Sequence, residues 1–77
     1  MNIELLDLVA LTCDLPEYNL SRGQFGTVIE ILADGEAYEV EFSAPDGRTL
    51  ESLGLRPDQI TIRRHKLVRS KSTPAAR

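Results

Sequence analysis

Apolar and polar positions change rhythm several times along this chain, and each change marks an element. The clearest stretch is Ala37 to Ser43, where Tyr38, Val40 and Phe42 alternate with Glu39 and Glu41. Side chains of a strand point alternately to opposite faces, so this pattern predicts a half-buried antiparallel strand. Gly26 to Leu32 is rich in β-branched residues and starts on a glycine, which predicts a second strand. Between them lies Ala33-Asp34-Gly35-Glu36. Asp-Gly is a strong hairpin signal, because both central positions of the favoured turn need positive φ.

Ala44-Pro45-Asp46-Gly47 predicts another turn, and Arg48 to Leu55 another strand. There Leu50, Leu53 and Leu55 slip off strict alternation, which predicts a bulge or strand end near Ser52-Leu53-Gly54. Arg56 to Gln59 reads as one helical or 3₁₀ turn and Ile60-Thr61-Ile62 as a last short strand. At the front, Val9 to Thr12 suits a strand, while Ile3, Leu6 and Ala10 also fit helical spacing; the run is too short to separate the two. Cys13 to Gln24 reads as a long loop, with Pro16 holding Leu15 out of helical conformation. Its apolar residues Leu15, Tyr18 and Leu20 are expected to fold it back over the sheet. Short strands with one long first loop predict an all-β fold, a small five-stranded SH3-like barrel in which closure removes exposed edges.

Composition narrows the core. With 77 residues, no Trp and only 5% aromatic residues, the chain must build its interior mainly from Leu, Ile and Val. Charge divides the chain in two. Residues 1–62 carry all twelve acids against Arg22, Arg48 and Arg56, a net charge of -9, whereas residues 63–77 carry six cations and no acid, +6. The division predicts a barrel over 1–62 and a basic C-terminal tail over 63–77. A single cysteine, Cys13, excludes an internal disulfide and suits a reducing cytosol. The first residues show no secretory pattern and no run approaches a membrane span, so a cytoplasmic protein without membrane contact is expected.

The string Val9-Ala10-Leu11, Asp14-Leu15-Pro16-Glu17-Tyr18, Arg22-Gly23, Gly26-Thr27-Val28, Glu30 and Tyr38-Glu39-Val40-Glu41-Phe42 resembles a family of short bacterial proteins. That family is classed only as a domain of unknown function, with an SH3-like barrel fold. The resemblance covers about residues 5–62 and leaves the tail out. It implies a fold and no activity. Arg22-Gly23 with Gly26-Thr27-Val28 is also similar to the barrel of the nitrile hydratase β subunit and to KOW-type barrels. Gly23 and Gly26 have a backbone reason in such barrels, turning the chain into the strand and allowing close packing. They do not form a phosphate cradle, because no Lys-Ser/Thr and no helix follow.

Candidate chemistry is sparse. The only His, His65, sits in the tail, and Cys13 lies at an expected strand end, so no nucleophile has an oriented base. No His/Cys cluster offers metal ligands, and no cofactor or small-molecule substrate is expected. Thr12 and Cys13 stand where a polyproline-binding groove would need aromatics. The reading is a non-enzymatic protein–protein interaction module that binds a partner subunit or copies of itself. Its expected contact face is Leu15, Tyr18 and Leu20 with Glu39 and Glu41, facing a basic partner. The small antitoxin-like or accessory partner of a bacterial two-gene module is one concrete version. The alternative is a nucleic-acid-associated protein contacting backbone phosphate through Arg63, Arg64, Lys66, Arg69 and Lys71 of the tail, since an acidic body repels phosphate.

Overall fold

The computed structural model describes residues 3–44 and 46–63. Five strands form one antiparallel sheet: β1 (Leu8–Leu11), β2 (Phe25–Leu32), β3 (Ala37–Ser43), β4 (Thr49–Leu55) and β5 (Ile60–Ile62). Their order across the sheet is β4-β3-β2-β1-β5. Single 3₁₀ turns at Pro16–Tyr18 and Pro57–Gln59 interrupt the first loop and the β4–β5 connection. The ambiguous first segment resolves as a strand because it is paired on both sides, with Val9 opposite Gly26 on β2 and Ile62 on β5.

Alternation sets the core. Tyr38, Val40 and Phe42 of β3 are buried, as are Val9 and Leu11 of β1, Val28 of β2, Leu55 of β4 and Ile60 of β5. Ile3, Leu15 and Leu20 join the same cluster, so both flanking segments fold over the inner face of the sheet. Leu15 and Leu20 are tied by reciprocal backbone hydrogen bonds of 2.9 and 3.1 Å around the Pro16–Tyr18 turn. Among the described residues no polar or charged side chain is buried, so the interior has no electrostatic cost.

Two glycines are held in place by different constraints. A Cβ on Gly26 would lie 2.6 Å from Val40 Cγ1 and 2.8 Å from the Phe42 ring, because those side chains of β3 lean across it. Gly23 has open space around it but sits at φ +88, where the chain turns into β2. The Asp34-Gly35 turn has the expected left-handed backbone at both residues, φ 54 and 94, closed by the Glu36 N–H donating to the Ala33 carbonyl.

Two expectations change. Closure is one: β4 and β5 are the two edges of the sheet and share no ladder. β5 has only three residues, all of them paired to β1, while Leu55 and Ile60 bring the two edges into one core through side chains alone. The bulge in β4 is the other. Pairing runs unbroken from Leu55 opposite Tyr38 to Glu51 opposite Phe42, then shifts so that Thr49 faces Ser43. The extra residue is Leu50, not one of 52–54, because Leu53 and Leu55 keep the two-residue period toward the core. A second bulge, between Val28 and Glu30 of β2, had no signal in the composition of that strand.

Candidate functional site

The outer face of the sheet carries the arrangement with most potential for recognition. Glu39 and Glu41 alternate with the buried residues of β3 and therefore stand on this face. The β2 bulge brings a third carboxylate beside them. Without it, Glu30 would share the inner side with Val28; the extra residue, Ile29, shifts the register so that Glu30 faces Glu39 directly. Like charges directly opposite each other across a ladder are destabilising.

Hydroxyls partly satisfy these carboxylates. Ser52 Oγ donates to Glu39 Oε2 at 2.7 Å, and Thr49 Oγ1 approaches Glu41 Oε2 at 3.4 Å. No positive charge does so among the described residues. The two ion pairs there are local ones, Arg48 with Asp46 at 2.7 Å and Arg56 with Asp58 at 3.1 Å. The Arg48 backbone N–H, then its guanidinium, bond the Asp46 carboxylate and hold its pKa below the ordinary 3.8.

Across β1 and β5 the same face changes character. Ala10 lies between Phe25 on β2 and Thr61 on β5. Phe25 is 50% exposed, and the Arg63 guanidinium stands over its ring at 5.8 Å from the centroid. The Arg63 N–H donates to the Leu8 carbonyl at 2.9 Å, so the ordered pairing runs one residue past the expected boundary at 62.

At the end of the sheet where β1 begins, the Leu6 N–H donates to the Val28 carbonyl at 2.7 Å, and a turn from Glu4 to Asp7 exposes Leu5 and Leu6. Leu6 adopts φ 71, a left-handed conformation that costs a leucine about 1–2 kcal/mol. Leu6 is 71% exposed and the neighbouring Ile29 41%, so strain and apolar exposure coincide there.

The residues expected to make one contact face are divided by the sheet. Leu15 and Leu20 are buried in the core cluster on the inner side, and of that loop trio only Tyr18, 44% exposed, reaches solvent. Glu39 and Glu41 lie on the opposite side. Leu15 and Leu20 therefore hold the loop down instead of presenting a surface. Arg63 is placed as described; Arg64, Lys66, Arg69 and Lys71 lie outside the described residues. Cys13 is partly buried against the core, as expected of a small apolar residue. Among the described residues no group of three or more His, Cys, Asp or Glu side chains converges to hold a metal, and no helix is long and apolar enough to cross a membrane. Sequence reasoning missed Glu30, Leu6 and Ile29, all of which depend on the β2 bulge or on the turn docked beside it.

Comparison with known proteins adds a family and nothing closer. No curated protein and no solved structure shows a significant match to the chain. A family model does match, over residues 5–62, which spans every strand of the sheet. The chain belongs to the family described as Domain of unknown function (DUF4926).

Proposed function

We propose that this chain is a non-enzymatic interaction module of the SH3-like barrel type that binds a basic protein surface on the outer face of its sheet. The strand order, the long first loop and the 3₁₀ turn before the last strand support the barrel assignment, with the gap between β4 and β5 bridged by core side chains. The observation that carries the binding reading is the Glu30–Glu39 opposition, flanked by Glu41. The fold holds these carboxylates together at some cost and, among the described residues, offers them hydroxyls, not cations, so a partner's positive charge converts repulsion into attraction. An antitoxin-like or accessory role beside a basic partner in a bacterial two-gene module, in the cytoplasm, fits this surface.

The test is co-purification from native lysate followed by mass spectrometry, comparing the wild-type chain with a variant carrying Glu30→Gln, Glu39→Gln and Glu41→Gln. A basic protein retained by the wild type and lost by the variant is expected. Equal retention by both, or a monomer that retains nothing, sinks the reading. The nucleic-acid alternative rests on the +6 charge of residues 63–77. It requires salt-dependent binding of DNA or RNA by the full chain that disappears when residues 63–77 are removed.

A further inference from the structure

We propose that an extended segment of the basic partner joins the sheet as a further strand along the free edge of β4. Its cations lie on the outer side and reach over β4 to Glu39 and Glu41, and its apolar residues lie on the inner side. This mode of binding rests on the basic-partner reading and deepens it. Among the described residues β4 pairs with β3 alone, so alternate N–H and C=O groups along its other side face no strand. The bulge at Leu50 and the acid Glu51, opposite Phe42 on the inner side, blunt the start of this edge. Ser52-Leu53-Gly54-Leu55 carries no charge, no Pro and no bulge. Leu53, opposite Val40, is only partly buried against the core, so an apolar side chain beside it would extend the interior.

Gly54 is the observation that carries the proposal. Unlike Gly26, it is not required by the fold. Its φ lies outside the left-handed region, and an added Cβ would meet only Glu39 Oε1 at 3.6 Å and Leu32 Cδ1 at 3.8 Å, both ordinary contacts. A glycine inside a strand weakens it and often marks the close approach of a ligand or another backbone. Gly54 lies opposite Glu39, and Ser52 opposite Glu41. Side chains this small leave a low passage across the outer side of β4. The carboxylates of β3 lean toward it: Ser52 Oγ donates to Glu39 Oε2 at 2.7 Å, and Thr49 Oγ1 lies 3.4 Å from Glu41 Oε2. An added strand would stand two strand spacings from β3, about 10 Å. A Lys or Arg stem covers the small residues between while its charged head meets the carboxylate. The β4 edge of a second copy fits less well. Paired over its full length about Ser52, it would set the two Glu51 side chains diagonally on one face, like charge beside like.

The test titrates the full-length chain with the capped peptide Thr-Lys-Val-Lys-Val-Lys-Thr and follows amide shifts and hydrogen exchange by NMR at low salt. Exchange at alternate amides of β4 should slow several-fold, with β5, the other edge, unchanged. N-methylation of one alternate set of peptide amides should abolish the effect, and N-methylation of the other set should leave it. A peptide of the same composition with its lysines in one block should bind several-fold more weakly. Gly54→Val, which favours a strand, should keep the fold and weaken the alternating peptide several-fold. The N-methyl arms use the wild-type chain, so they decide even if Gly54→Val fails to fold. Shifts at Glu39 and Glu41 without protection of β4, or equal binding of the two N-methylated peptides, overturn strand addition and leave the basic-partner reading standing. Protection that survives Glu39→Gln and Glu41→Gln unchanged overturns the partner chemistry in both. Slowed exchange at β4 that grows with the chain's own concentration, without peptide, makes a second copy the occupant and overturns the proposal. So does the absence of any response to the peptide.

Discussion

The two faces of the central strands obey opposite rules. On the inner face Tyr38, Val40 and Phe42 meet Val28, Leu53 and Leu55 in a core without one buried polar side chain among the described residues. On the outer face the same strands set Glu30 against Glu39 and place Glu41 beside them. The inner face is optimised for the chain alone. The outer face is not, and that difference points to something outside the sheet for which the carboxylates are arranged. A small domain has little stability to spare, so a standing repulsion on an exposed face is informative.

The contrast can be broken from the inside first. Phe42→Ala empties the centre of the core and should cost about 3–5 kcal/mol, enough to unfold most of the population of a domain this small. Urea denaturation followed by circular dichroism reads it directly, and a loss below about 1 kcal/mol would contradict the packing described. Gly26→Ala comes next. Its new methyl meets Val40 and Phe42 inside contact distance, and a cost of about 1–3 kcal/mol is expected by the same measurement.

Outside the core the effects shrink and change sign. Leu6→Gly relieves the left-handed strain at an exposed position and should raise stability by about 1 kcal/mol, whereas the same change at buried Leu20 should lower it. A double-mutant cycle with Glu30→Gln and Glu39→Gln should return an unfavourable pair interaction of a few tenths of a kcal/mol that fades with added salt. A coupling of zero would mean the two carboxylates do not meet across the ladder. The smallest effect belongs to Asp46. Its pKa is lowered in the fold by the Arg48 N–H and guanidinium, so its contribution is present above the ordinary 3.8 and is lost as pH falls through the lower folded value. Asp46→Asn should lower stability slightly at pH 7 and by less as pH falls below about 4, so the decline toward acid is slightly flatter than in the wild type.

Much of the inner face was legible from the chain. The alternation of β3, the Asp34-Gly35 turn, the Pro57–Gln59 turn and the docking of the long loop all follow from local patterns that act over two to five residues. The outer face was not, for a definable reason. Which side Glu30 occupies depends on one extra residue, Ile29, and β-branched neighbours on both sides of it give no sign of where a register shifts. The same blindness moved the β4 bulge to Leu50. It also merged Leu15, Tyr18 and Leu20 with Glu39 and Glu41 into one surface, because apolar loop residues read alike whether they pack under the loop or protrude from it. Pairing across strands settled both.

The claim that the outer face is built for a basic ligand is tested most directly by titrating the full-length chain with a short oligolysine peptide at low salt and following backbone amide shifts by NMR. Salt-sensitive shifts clustered at Glu30, Glu39, Glu41 and Ser52, with Leu15 to Leu20 unmoved, are predicted. Shifts centred on that loop, or scattered evenly over every exposed acid, would contradict the account.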